Sequence, residues 1–339
     1  MLLALIATVP LLQFFALGYL LHAAAVIART GRLHDGFIGL KTASRIGQFG
    51  LGVWLVTIPH RFFASLEADA FLFDPGGPAA GRLGFASSAA LMAGTWISLS
   101  ALSQGGGFVH FFRPLRATKW LVWSLRELGF GGWVEETQTS VRDVLATLRL
   151  VATFWLGLRA YLGAFVLLAV PTTLIAVGRD GPLMLLGGLL LAIVVLYLPF
   201  LQIHFAAHDD WRRLFDHRTI RHTFKRAPLA FFVALLSTLL LALPLYLLKV
   251  EIVPRDALWL PAVVFVGTIF PTKLITAWAY HRGMKRDRPR HGAVVFVGRG
   301  LMFVTAMAYT IAVFFTQYTG WHGLVGLYEH HAFLVPVPF

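Results

Sequence analysis

Histidines are the most numerous groups in this chain that can do chemistry at neutral pH, and there are 13 of them. His204 and His208 stand four apart, His217 and His222 five apart, and His330 and His331 are adjacent. Neutral imidazoles clustered in this way can hold metal ions. Ionisable residues inside long apolar runs come next, because a charge at the centre of a bilayer costs at least a few kcal/mol and must find a partner or water. Arg159 and Arg299 fall within about two turns of helix ends, where their stems can carry the guanidinium to the interface. His60 with Arg61, and Lys273 after Pro271 and Thr272, sit deeper and beside helix-breaking residues, which makes them candidates for lining a polar cavity.

Other chemistry is excluded or weak. There is no cysteine, so disulfides, thiolate metal sites and cysteine nucleophiles are ruled out. Gly105-Gly106-Gly107 lacks the Lys-Ser/Thr of a phosphate loop, and neither Gly-x-Ser-x-Gly nor His-Glu-x-x-His occurs. The acidic pairs Glu135-Glu136 and Asp209-Asp210 fall at helix starts, where capping and the helix dipole account for them.

The elements that must position these groups are membrane spans. Of 339 residues, 58% are hydrophobic and 13% charged, about half the charge of an average soluble domain. A spanning helix needs roughly 20 apolar residues. Eight such stretches can be drawn, at about 2–27, 46–65, 83–103, 153–177, 182–206, 228–248, 257–280 and 293–318. The expected fold is therefore an all-α polytopic bundle forming a single transmembrane domain over 1–339, with amphipathic helices at the interface. Residues 2–27 have no basic start and are too long for a signal-peptide core, so they read as a retained helix. The Ala, Ser and Gly of 83–103 suit close packing and predict an inner helix. Pro59 and Pro244 fall mid-span in the second member of two helix pairs, an echo of the kind that can mark a transport site.

Two connectors carry the basic and aromatic residues expected at a headgroup boundary. In the first, Phe111, Phe112, Trp120 and Trp123 alternate with Arg113, Arg116 and Lys119, and Val141, Val144, Leu145 and Leu148 share a helix face further on. In the second, Trp211, Leu214 and Phe215 form an apolar stripe while Arg212, Arg218, Arg221 and Lys225 supply a basic face. The connectors after the first, third, fifth and seventh spans hold 21 of the 29 Lys and Arg, against 4 in the alternate connectors. Such a bias places both termini on the non-cytoplasmic side. The net charge of +13 then reads as positive-inside bias and attraction to anionic lipid, not as nucleic-acid binding.

The stretch FFALGYLLHAAAVIARTGRLHDGFIGLKTASRIGQFGLGVWLVTIP resembles the start of the domain of unknown function 4013 membrane family. The whole chain, through YLPFLQIHFA, LALPLYLLK, FFTQYTGW and LYEHHAFLVPVPF, is similar to long planctomycete-type members of it. That family has no assigned activity, so the resemblance implies a bacterial multi-pass membrane protein and carries over no functional residue. The histidine spacings bear a partial likeness to the boxes of membrane desaturases and hydroxylases, but the charge pattern puts His204 to His222 and His330-His331 on opposite faces.

The leading expectation is a non-enzymatic component of a bacterial inner membrane, without metal or cofactor. It would bind anionic headgroups, or a membrane protein partner or second copy, at its cytoplasmic face through Trp211, Arg212, Arg218, Arg221, Lys225, Arg113, Arg116 and Trp120. One alternative is a transporter or channel with a polar cavity near Arg61 and Lys273. The other is a histidine-box, metal-dependent lipid-modifying enzyme.

Overall fold

The computed structural model describes residues 3, 7, 11–38, 40–75, 77–113, 118–119, 122–123, 126–127, 132, 149–178, 181–250, 260–319 and 323–329. In chain order the helices are α1 (Gln13–Thr30), α2 (Leu40–Val56), α3 (Ile58–Phe73), α4 (Pro78–Ser103), α5 (Phe108–Phe111), α6 (Leu150–Gly178), α7 (Pro182–His208), α8 (His217–Arg226), α9 (Pro228–Val250), α10 (Leu260–Met284), α11 (Gly292–Thr319) and α12 (Gly326–Glu329). No strand occurs among the described residues. Among the described residues, seven stretches are long and apolar enough to cross a membrane: Ser44–Phe73, Pro78–Ser103, Leu150–Gly178, Pro182–His208, Pro228–Leu245, Leu260–Met284 and Gly292–Phe315. The protein is an all-α, multi-pass membrane bundle. The stretch expected as a first span, 2–27, is described only in part, and its described part is α1.

The chain divides into two compact units, one built from Leu3–Ile38 and Arg149–Phe339, the other from Gly39–Leu148. In the smaller unit, α2 and α3 form one apolar run interrupted at Thr57. Pro59 lacks the N–H that would continue the ladder, so it opens a second helical segment and does not kink the middle of one. The expected end near residue 65 is corrected. The helix continues through Glu67 and Asp69 to Phe73, and Asp74, in an extended conformation, ends it.

The inner-helix expectation for 83–103 is also corrected. Only Ser87, Gly94, Ser100 and Ala101 of α4 are buried, while Phe85 is 77% and Met92 74% exposed. The small residues supply one narrow stripe, where a Cβ on Gly94 would come within 3.0 Å of the Val56 carbonyl. A close helix contact needs no more than one such stripe.

The larger unit is arranged around α7. Its first half is partly exposed, but from Leu198 to Ala206 every residue is buried, which happens when neighbours cover a helix on all sides. Those neighbours are α1, α6, α8, α10 and α11 together with the 3-10 turn Trp211–Phe215. Phe200 stacks on Phe231 of α9 at 4.2 Å between ring centroids, and Phe231 meets Phe224 of α8 edge-on at 5.9 Å. That aromatic column ties three helices together.

The ends of these helices sort by charge. Arg159 near the start of α6 pairs with Asp209 at the end of α7 at 2.8 Å, the backbone N–H of Arg290 donates to the Lys225 carbonyl at 2.9 Å, and the His281 ring bonds the Ala28 carbonyl at 3.0 Å. The basic ends of α1, α7, α8 and α10 therefore gather at one end of the unit. Near the other end, Tyr328 of α12 meets Thr173 of α6, hydroxyl to hydroxyl, at 2.7 Å.

Helices α1 and α6 touch backbone to backbone. A Cβ on Gly18 would fall 1.8 Å from the Thr153 carbonyl oxygen, and one on Gly157 1.9 Å from that of Phe14. Ala in place of a helical Gly ordinarily stabilises by roughly 0.5–1 kcal/mol, but here the methyl must push two helices apart, at about 1–3 kcal/mol. Gly18→Ala should therefore lower the thermal unfolding midpoint in detergent. Gly47→Ala, where a Cβ meets nothing within 4 Å, should leave it unchanged or raise it. Equal midpoints for the two variants would show that the α1–α6 contact is looser than described.

Candidate functional site

Polar residues in the buried half of α7 find their partners on α10 and on the connector that follows. Gln202 is fully buried and Lys273 of α10 is 3% exposed, and the Lys273 ammonium donates to the Gln202 side-chain oxygen at 2.5 Å. Two residues on, buried His204 shares a hydrogen bond with the Tyr280 hydroxyl at 2.7 Å through Nδ1, and its Nε2 lies 3.6 Å from Asp216. Asp216 caps α8, accepting from the Thr219 amide at 3.0 Å and the Thr219 hydroxyl at 2.6 Å. Those two bonds hold its carboxyl below the usual carboxylate range. The whole arrangement is closed and packed, a clasp between helices.

The other sequence candidates are scattered. His60 lies 3.1 Å from both the carbonyl and the hydroxyl of Ser87, and Arg61 is exposed. Both belong to the smaller unit, whereas Lys273 belongs to the larger. The histidines do not gather either: among the described residues no three His, Asp or Glu groups stand close enough to hold a metal. His208 bonds its own helix at the His204 carbonyl, and His217 bonds the Phe215 carbonyl while its ring rests on Tyr197. Arg113 is exposed just after α5. Arg116, Trp120, the helix face expected at 141–148, His330 and His331 lie outside the described residues.

The second connector, whose Trp211, Leu214 and Phe215 suggest one helical stripe, is divided into two elements. Asp210 accepts from the Arg212 amide at 3.1 Å and starts a 3-10 turn over Trp211–Phe215, after which Asp216 restarts the chain as α8. The two caps rotate the face. Leu214, Ile220, Thr223 and Phe224 are the residues buried, against the bundle itself, and Leu214 fits where Gly163 lacks a side chain. Trp211 also packs on the core, and Phe215 is 39% exposed. Arg212, Arg218 and Arg221 remain on the outer face, with Lys225 half-buried.

A cluster that was not singled out in the sequence stands beside this connector. Arg282, Arg286 and Arg290 line a cavity of about 460 Å³ with Trp278, Val294 and the first turns of α9, and no acidic residue lines it. Burial, with the positive charges of Arg290 and Arg282 alongside, pushes the Arg286 guanidinium below its usual value. It stays charged all the same. Arg282 stacks over Trp278 at 5.1 Å, and Arg286 donates to the Arg226 carbonyl at 3.2 Å. The carbonyls of Lys225 and Arg226, left over at the C-terminus of α8, are thus satisfied by this segment. The signal was a four-residue spacing continued past the end of α10. Each guanidinium has five N–H donors, the bond to the Arg226 carbonyl uses one of those of Arg286, and the first turn of α9, whose N-terminus favours anions, lines the same cavity. The arrangement can hold a phosphate. Comparison with known proteins finds no matching family model, no matching curated protein and no matching solved structure.

The clasp and the cavity can be separated experimentally. Gln202→Leu strands a buried ammonium and should destabilise the protein by roughly 1–3 kcal/mol. Adding Lys273→Met should recover a large part of the loss, since removing both partners costs less than removing one. Unfolding in detergent measures both. A double variant less stable than Gln202→Leu would mean that Lys273 contributes through another partner.

Proposed function

We propose that this chain is a non-enzymatic bacterial inner-membrane protein that binds the headgroup of an anionic phospholipid at the cytoplasmic end of its larger unit. Both termini then face away from the cytoplasm. The reading is carried by one observation: three guanidiniums line one cavity at the start of α9 with no carboxylate among them. Bidentate N–H pairs match phosphate oxygens, and the gathering of basic helix ends supports a position for the cavity at headgroup depth. The exposed Arg212 and Arg218 add a diffuse field without a binding geometry of their own. The likeness to the domain of unknown function 4013 family belongs to the same proposal and assigns no activity.

Each cation near the surface contributes roughly 1 kcal/mol with anionic lipid, so Arg282→Gln, Arg286→Gln and Arg290→Gln together should weaken retention of phosphatidylglycerol about 100-fold. Native mass spectrometry of the full chain released from mixed phosphatidylglycerol and phosphatidylcholine nanodiscs reads this directly. Arg212→Gln with Arg218→Gln is the control and should weaken retention less than the triple variant, by at most roughly 30-fold for two surface charges. If the control pair loses as much lipid as the triple variant, binding is diffuse and the cavity is not the site.

Sidedness is tested separately. Reporter fusions at Pro75, Gly178 and the C-terminus should report the non-cytoplasmic side, and fusions at Gly106, Asp216 and Arg288 the cytoplasm. A cytoplasmic C-terminus would overturn the orientation.

A further inference from the structure

A second concavity opens on another face of the connector. It has a volume of about 560 Å³ and is lined by residues of α7, α8, α9 and α11, within the range of small-molecule sites. Its wall is hydrocarbon and aromatic: Ile193 and Leu196 from α7, Phe224 from α8, and Phe296 and Phe303 from α11. Two charges stand on this wall, Arg221 from α8 and Arg299 from α11. Among the described residues no acid lines the groove, and neither arginine makes an ion pair with any of them.

The groove has polarity along its length. Arg299 lies seven residues into α11, roughly 10 Å from that helix's basic end, and Ile193 lies 15 residues before the end of α7, roughly 22 Å along it. Phe296 lies about 6 Å from the same basic end, level with the reach of the Arg299 side chain, while Phe303 and Ile193 lie deeper. Phe296, Gly300 and Phe303, at i, i+4 and i+7, share one face of α11. At Gly300 a Cβ would meet no heavy atom within 4 Å, so the space beside it is open. Phe296 is 77% and Phe303 42% exposed. An apolar surface of this kind beside a bilayer takes hydrocarbon.

We infer that this groove is a binding site for one membrane phospholipid with a net negative headgroup, its acyl chain lying on Gly300 and Phe303 and its phosphate bridging Arg221 and Arg299. Two guanidiniums without a counter-ion call for an anion, and an anion joined to a long hydrocarbon matches both ends of the groove at once. A helix from a second copy of the chain would match the aromatic wall and leave the two charges unpaired. The inference shares the membrane setting of the proposed function but uses none of Arg282, Arg286 and Arg290, so either site can fail alone.

The test uses the full chain in nanodiscs of equal phosphatidylglycerol and phosphatidylcholine, one lipid at a time carrying a photoactivatable diazirine in its acyl chain. Cross-linked peptides are mapped by mass spectrometry. Phosphatidylglycerol should label the segment 296–303 in preference to phosphatidylcholine, by roughly 30-fold if each arginine contributes as a surface charge does. Arg221→Gln with Arg299→Gln should abolish the preference while leaving some labelling. Gly300→Phe, which fills the groove and keeps both charges, should remove most labelling by either lipid. The Arg282, Arg286 and Arg290 triple variant should label 296–303 as the unaltered protein does. Because the arginine pair is exposed, its variant keeps the test valid even where Gly300→Phe fails to fold. Equal labelling by the two lipids in the unaltered protein would overturn the inference. So would labelling that survives in folded Gly300→Phe, or cross-links from 296–303 to a second copy of the chain.

Discussion

Everything in the larger unit follows from the burial of α7 between Leu198 and Ala206. A bilayer offers no water to a polar group, so each one within it must be satisfied by the protein. Gln202 and His204 lie inside the fully covered stretch, and the partners they have come from elsewhere in the chain, Lys273 and Tyr280 on α10 with Asp216 of the connector 3.6 Å away, while the Gln202 amide nitrogen and His204 Nε2 find no hydrogen-bond partner among the described residues. These contacts fix the rotation of α10 about its own axis, because Lys273 and Tyr280, two turns apart, must both face α7. They also fix the connector. Asp216 sits close to His204 only because it ends one turn and begins the next helix, and that places Ile220, Thr223 and Phe224 against the bundle with Arg221 turned outward. A polar requirement in the core thus determines which face of a surface helix is basic.

What was legible in the sequence was what depends on composition over a window. Apolar runs of roughly 20 residues mark spans by length alone, and the alternation of Lys and Arg between connectors matches the basic helix ends that gather in the larger unit. What was not legible depended on where one residue stands relative to another element. The connector showed a helical stripe of Trp211, Leu214 and Phe215, but capping by Asp210 and Asp216 divides it and shifts the buried face by part of a turn. Arg159 was read as an anchor reaching for headgroups. It has Asp209 as a partner, 50 residues away in sequence, and no local pattern announces such a pair. In α4 the small residues did report a close contact, yet composition cannot say whether such residues occupy one stripe or surround the helix.

The candidate site was half legible for the same reason. Arg221 was named from the sequence and does line an apolar groove, whereas Arg299, its companion there, had been set aside as an interfacial anchor. Arg282, Arg286 and Arg290 entered only as charges in a count. Their role depends on the end of α8, whose last carbonyls take an N–H from Arg286 and from Arg290. Cations are favourable at a helix C-terminus, so the start of this cluster has a structural reason independent of any ligand. That reason explains one donor of the Arg286 guanidinium and not the others.

The two cationic concavities share one element. Helix α8 lends Arg221 to the groove through its outer face and lends its terminal carbonyls to the arginine cavity, while the column Phe200, Phe231 and Phe224 holds it to α7 and α9. Among the described residues no acid lines either concavity, and guanidiniums brought close without a counter-ion repel one another. On the proposed reading, an anion in either concavity would act beside the same short helix. Since α8 is in turn held by Asp216 near His204, the two concavities and the buried clasp of α7 bear on a single piece of the fold.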